Sequence, residues 1–320
     1  MSEDNSLAAQ AGFPVLVSVV IAHRNGLQYL RESLDSVAAQ TFTNFEIILV
    51  DDGSDIPISG EILQGLPNLT FVQLPKRGPA ERRGVAHAAN VGIQRSRGAY
   101  IARHDADDIM LPQRLQLQVQ RLEDTGLPRV DVLAGQLQTF PANRRYAYPT
   151  SMRGFQAALL FGNPIAQPTA MIRRDVCIDN PYSEREEDMG YEDLELWVRL
   201  FEKGYKFACL SELLTLYRLH PKQVTRTTTQ RNADRLLALV GSVSAQTQDL
   251  EALAWARDQR HSFAALRHIT NGQFGSDTYA VLQIFLNWLN VTARSDDTWL
   301  ATTVFTKGIA MARLALSRMR

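Results

Sequence analysis

After a polar start, residues 15–22 (VLVSVVIA) form a β-branched run broken only by Ser18. So continuous an apolar run is the pattern of a strand covered on both faces, as in a parallel sheet. The period then changes. Leu27, Leu30, Leu34 and Val37 fall on one face of a helix. Residues 45–50 (FEIILV) return to the continuous apolar form and end in Asp51, Asp52, Gly53 and Ser54. The alternation goes on with a strand at 69–74, a helix at 79–96 started by Pro79, and a strand at 98–105 (GAYIARHD). A helix at 111–123 follows, with Pro112 near its first turn. This alternation predicts an α/β fold whose mostly parallel sheet is flanked by helices and binds ligand beyond the C-terminal strand ends. Both VDDGS and HDADD lie at such ends.

Beyond Asp131 the alternation weakens. An apolar stretch (VDVLAGQLQTF), a Pro-rich region, a helix at 192–204 and two short apolar runs, 205–210 and 213–219, read as the second half of one mixed sheet. From about Thr225 the spacing becomes helical, with a boundary in the polar TRTTTQRN. The predicted organisation is a loose N-terminal tail (1–14), one α/β domain (15–225) and a C-terminal helical region (226–320). The tail is acidic and polar, unlike a secretory leader. No run reaches the roughly 18 apolar residues that span a bilayer. A cytoplasmic protein is therefore expected. Lys307, Arg313, Arg318 and Arg320 stand among apolar residues at helical spacing. This final helix suits either docking on the helical region or a peripheral contact with anionic lipid at the cytoplasmic membrane face.

Charge and cysteine content narrow the classes. The 320 residues carry 34 basic and 34 acidic side chains, so no global field favours nucleic acid. Two cysteines, Cys177 and Cys209, are too few for a disulfide framework and lack metal-ligand spacing. They are expected to be buried as small hydrophobes.

Local chemistry concentrates at Asp105, Asp107 and Asp108. A calcium-binding EF-hand needs Gly at the sixth position and Glu at the twelfth. Counting from Asp105 these are Met110 and Gln116. A glycosidase pair needs carboxyl groups across a glycosidic bond rather than adjacent in one loop. Mg²⁺ or Mn²⁺ bound with a substrate diphosphate needs only one or two carboxylates. Phosphate-cradling glycine loops of either common spacing are missing after the first strand, which disfavours hydride transfer and P-loop chemistry. Asp108 is expected to cap the following helix.

Four stretches together, VSVVIAHRNG, FEIILVDDGS, AANVGIQRSRGAYIARHDADDIMLP and YEDLELWVRLFEKGYKFACLSELLTLYRLHP, resemble the inverting family 2 glycosyltransferases of GT-A fold. The resemblance covers roughly residues 15–225 and keeps the family's order. It implies that Ala22, His23, Arg24 and Asn25 hold the nucleotide and that Asp52 bonds the base. It implies Asp107 as direct metal ligand, with Asp105 nearer the ribose, and His220 near metal and diphosphate. Arg82, Gly84 and Asn90 would shape the pocket beneath the nucleotide, and Asp193 would deprotonate the acceptor. Arg24 stands where relatives carry an aromatic, and Gln167 where many carry His. The implied partners are a nucleotide-sugar donor and a glycan or lipid-linked acceptor. A nucleotidyltransferase and a non-catalytic nucleotide-sugar-binding module are the competing classes. For Glu192 and Asp193, complementing a helix dipole is a sufficient structural role.

Overall fold

A computed structural model describes residues 15–76, 84–146, 148–150 and 163–221, with Met152, Phe155 and Leu159 between them. The predicted tail, Arg82, the C-terminal helical region and its basic last helix lie outside the described residues. By its internal contacts the chain divides into two units. One is Met1–Thr150 with Ile165–Arg231, the other Ser151–Pro164 with Asn232–Arg320. The elements below belong to the first.

In chain order these are β1 (Val15–His23), α1 (Leu27–Ala38), β2 (Phe45–Asp51), α2 (Gly60–Leu63) and β3 (Leu69–Gln73). Then come α3 (Gly84–Arg95), β4 (Gly98–Asp105), β5 (Ile109–Met110), α4 (Arg114–Glu123), β6 (Val132–Phe140) and β7 (Arg145–Tyr146). The set closes with β8 (Met171–Arg173), α5 (Arg174–Asp179), α6 (Glu192–Glu202) and β9 (Phe207–Arg218). All strands join one mixed sheet, ordered β3-β2-β1-β4-β8-β6-β9-β5, with β7 on β6. Strands β3, β2, β1 and β4 run parallel, and β8 turns antiparallel against both β4 and β6.

The continuous apolar runs are explained by what covers them. Val17, Val19 and Ile21 pack in a core with Leu30, Leu34 and Val37 of α1 and Leu115 and Val119 of α4. Val20 points the other way, under Gly92 of α3, where an added Cβ would come within 2.5 Å of its methyl. Each such fully buried aliphatic side chain stabilises the fold by about 1.5–3 kcal/mol. Glu46, polar within an apolar strand, is buried and saturated. It accepts from Ser18 Oγ (2.7 Å), from Arg97 N–H (2.7 Å) and from the Arg97 guanidinium (2.7 and 2.9 Å). Both cysteines are buried and reduced.

Two expectations change. The acidic turn leads into the short strand β5, which pairs antiparallel with β9, rather than into a helix. Asp108 therefore caps no helix, and α4 starts after Gln113, without a side-chain cap. The carboxylate of Asp108 is already engaged, accepting the Arg218 backbone N–H at 2.9 Å. The two predicted apolar runs near the end are one strand, β9, because the exposed Ser211 and Glu212 continue it. Strand β9 runs parallel to β6 with register shifts around Gly135, where a Cβ would meet Leu214 at 2.2 Å.

Arg114, fully buried at the start of α4, joins the halves of the sheet. Its guanidinium donates to the carbonyls of Pro168 (2.5 Å), Arg103 (2.8 Å) and Ala170 (3.3 Å), and to Gln118 Oε1 (3.1 Å). Gln118 in turn donates to the carbonyls of Leu133 and Thr169. Burial pulls the Arg114 pKa down to about 9, against Asp105 and Asp108, which hold it up. It stays charged at neutral pH. The carbonyls it serves cannot be removed with it, so Arg114→Met should lower the unfolding free energy by about 3–5 kcal/mol, read from urea titration. A loss under about 1 kcal/mol would show that the network is dispensable.

Candidate active site at the carboxyl ends of β1, β2 and β4

The first wall is the corner where β1 and β2 end. His23 is turned inward and buried. Its Nε2 accepts the Gly26 N–H at 3.1 Å, which leaves Nδ1–H to donate to Asp51 Oδ1 at 3.1 Å. Ser54 Oγ also donates to Asp51 Oδ1 and accepts the Asn25 N–H at 2.9 Å. Burial pushes the Asp51 carboxyl up, but the bonds from His23 and Ser54 outweigh it and the pKa falls. Asn25 holds a left-handed conformation (φ 54°), its amide paired with the Asp55 backbone N–H and carboxylate. Gly53 has φ +66°, and a Cβ there would stand 2.9 Å from the Pro75 carbonyl. Asp52, half-buried, is fixed by its N–H to the His23 carbonyl at 2.9 Å. Arg24 is exposed, and Ala22 pairs in register with Asp105.

The floor is the acidic turn. Asp105 ends β4, and Ser33 of α1 donates to its carbonyl at 3.2 Å while lying 3.1 Å from His104 Nε2. Burial, with Arg114 and Arg103 nearby, holds the His104 pKa well below its usual value, so this ring is neutral and structural. Burial pushes the Asp105 carboxyl up to about 6, and the charges of Asp107 and Glu192 add to it. Asp108 is raised well above the usual carboxylate range, by burial and then by Asp105 and Asp107. Asp107 faces His220, whose Nε2 is 2.8 Å from Asp107 Oδ2.

The remaining wall brings α3 against the segment Tyr182–Met189 that leads into α6. Glu192 and Asp193 open α6. Glu192 accepts the Gly190 N–H at 2.6 Å. Glu192 is near enough for its charge to act on Asp105. Asp193, half-buried, accepts the Leu194 N–H at 2.7 Å, and its charge reaches Tyr148 and Tyr182. Asn90 uses its amide to hold the backbone of Tyr182 at both N–H and carbonyl, each at 2.9 Å, and also donates to Glu184. Gly84 opens α3 with φ +70°, and a Cβ there would stand 3.4 Å from the Met189 methyl.

The structure thus gathers Ala22, Asp105, Asp107 and His220, and sets Asp193 on the neighbouring wall. It gives Asn90 and His23 internal partners. Two residues of this region went unassigned in the sequence. Arg103 is fully buried, donates to the Val20 carbonyl at 2.7 Å, and lies 5.6 Å from the Tyr182 ring centroid. Arg218 grips the acidic turn. The available signal was an arginine inside an otherwise apolar strand. Among the described residues no group of three or more His, Cys, Asp or Glu side chains forms a ready-made cation cage, and no helix is long and apolar enough to cross a membrane.

A mixed, mostly parallel sheet with an acidic turn at the carboxyl end of β4 belongs to a known class. The chain is a member of glycosyl transferase family 2, whose sequence pattern matches residues 18–179, just over half its length. The O-antigen biosynthesis glycosyltransferase WbnJ of Escherichia coli is 28% identical over 219 residues, 66% of this chain and 82% of that protein. Curated relatives differ in length, and the chain spans as little as 28% of some. Among solved structures, S. aureus TarS 1–349 in complex with UDP-GlcNAc superposes with TM-score 0.62 at 17% identity, covering 95% of this chain and 92% of that one. The mannosyltransferase PcManGT from Pyrobaculum calidifontis, in complex with GDP-Man and Mn²⁺, gives 0.55 at 15% identity, covering 95% and 85%. At such identities the likeness is one of fold, and the fold is GT-A.

The raised Asp105 pKa has a measurable sign. Between the unfolded value near 3.8 and the folded value of about 6, the folded chain binds more protons, so stability falls as pH rises through that window. Asp105→Asn should raise metal-free stability above pH 6 by about 1 kcal/mol, with the gain fading toward pH 4. Thermal unfolding in EDTA across this range checks it, and a gain independent of pH would refute the assignment.

Proposed function

We propose that this chain is a metal-dependent, inverting glycosyltransferase that moves a sugar from a nucleotide diphosphate donor, a UDP-sugar, to a hydroxyl of a glycan or lipid-linked acceptor. The process it serves is cell-surface polysaccharide synthesis. The observation that carries this reading is the pairing of Asp107 with His220 beside Asp105, across 113 residues of chain, at the carboxyl end of the parallel strands. The relatives and neighbours add support, having been solved with UDP-GlcNAc or with GDP-Man and Mn²⁺, or named for O-antigen synthesis.

Hard carboxylate oxygens and an imidazole suit Mn²⁺ or Mg²⁺, and a cation would offset both the burial and the Asp107 charge that raise Asp105. Asp107 and Asp105 would hold the ion, with His220 at its edge. Bound there, it would supply positive charge for the departing diphosphate. Asp52 and the Asn25 corner shape the nucleoside end, with exposed Arg24 offering a planar cation to stack on the base. Asp193 takes the acceptor hydroxyl proton as the new C1–O bond forms and the C1–O bond to phosphate breaks. One displacement from the opposite face inverts the anomeric centre.

Purified protein with Mn²⁺ or Mg²⁺ should release nucleoside diphosphate, and not pyrophosphate, from one member of a nucleotide-sugar panel. Asp107→Ala and Asp193→Asn should each cut turnover by about 10²-fold or more. Full turnover in Asp193→Asn would remove the base from its role. Tight donor binding without turnover in the unaltered chain would instead favour a binding module.

A further inference from the structure

The turn Asp105–Asp108 makes one internal backbone bond, from the Asp108 N–H to the Asp105 carbonyl at 3.1 Å. That is little to hold a loop whose carboxylates repel one another. Arg218, the last residue of β9, supplies more. Its backbone N–H donates to Asp108 Oδ1 at 2.9 Å, and its Nε donates to the Asp107 carbonyl at 2.7 Å. The guanidinium is fixed from both faces, with Cζ 4.6 Å from the Tyr29 ring centroid and 4.4 Å from that of Phe140. Its Nη2 donates to Glu32 Oε2 at 2.6 Å. A planar fork held between two rings is preorganised, and a lysine ammonium cannot reproduce it. Two residues on, His220 meets the Asp107 carboxylate, and its ring centroid lies 4.9 Å from that of Tyr29.

We propose that Arg218 is a positioning residue that clamps the acidic turn to β9 and α1, so that Asp107 and His220 meet a nucleotide diphosphate and its divalent cation as one preassembled unit. The proposal rests on the glycosyltransferase reading above. Groups that orient a metal ligand without touching the ion commonly change affinity by about 10–100-fold. Arg218 acts on the backbone of Asp107 rather than on its oxygens, and the lower end of that range applies.

The test is Mn²⁺ titration in the presence of UDP or GDP, with free Mn²⁺ read by electron paramagnetic resonance, on the unaltered chain, Arg218→Lys, Arg218→Ala and Glu32→Gln. Circular dichroism melts in EDTA give the folded fraction of each. About ten-fold weaker Mn²⁺ binding per folded molecule is expected in Arg218→Lys. At most about a two-fold change is expected in Glu32→Gln, which keeps the Nε contact with Asp107. If Arg218→Ala does not fold, the lysine variant decides. Unaltered affinity in folded Arg218→Lys, or a loss that only tracks the unfolded fraction, overturns the clamp. Failure of the unaltered chain to bind Mn²⁺ with either nucleotide overturns the metal-dependent reading itself, before any substitution is considered.

Discussion

Arg114 is the constraint on which the rest of this structure depends. A mixed sheet changes from parallel to antiparallel pairing somewhere, and the carbonyls of a turn packed against that seam need partners outside the ladder. Pairing first turns antiparallel between β4 and β8, beside the short turn at Gln167–Thr169, and turns parallel again between β6 and β9. One guanidinium collects the carbonyls of residues 103, 168 and 170, and Gln118 those of 133 and 169. The same cation acts on Asp105 and Asp108 and offsets part of the rise in the Asp105 pKa. The group that closes the fold thus also makes an acidic turn tolerable at its surface.

The site built on that base is held apart from its own best stability. Asp105 and Asp108 are raised because burial and like charges oppose their ionisation, and the fold keeps them in place through partners on α1 and β9. Such retained repulsion is expected where a cationic ligand completes the charge balance. The corner at the ends of β1 and β2 is the opposite case. There Asp51, His23 and Ser54 satisfy one another, and they fix the backbone of the exposed Asn25.

The parallel half of the fold was legible because burial on both faces writes itself as continuous apolar runs, as at Val15–Ala22 and Phe45–Val50. The acidic turn was legible in its place, at the carboxyl end of the buried strand β4. What followed it was not. Asp108 reads locally as a helix cap, and only the non-local β5–β9 pairing turns it toward Arg218. Ser211 and Glu212 read as a break between two strands because their exposure on β9 depends on neighbours far away in sequence. Arg114 looks like an ordinary surface arginine until three-dimensional packing removes it from water, whereas Arg103 carries only the hint of a charge inside an apolar strand. Asn90 lay in a motif that resemblance assigned to the pocket, and its amide is committed to the Tyr182 backbone.

The bond between Arg218 and Asp108 spans 110 residues. Its consequence lies in the order of synthesis. A ribosome that has released β1 through β4 has exposed the acidic turn without the strand end that shapes it, and the turn stays incomplete until β9 emerges. The parallel half can collapse early on local βαβ contacts, whereas the geometry of the acidic turn waits for contacts of high sequence separation, which form late and slowly. A nascent fragment ending before Arg218 therefore has the fold's first half without the strand end that shapes its acidic turn.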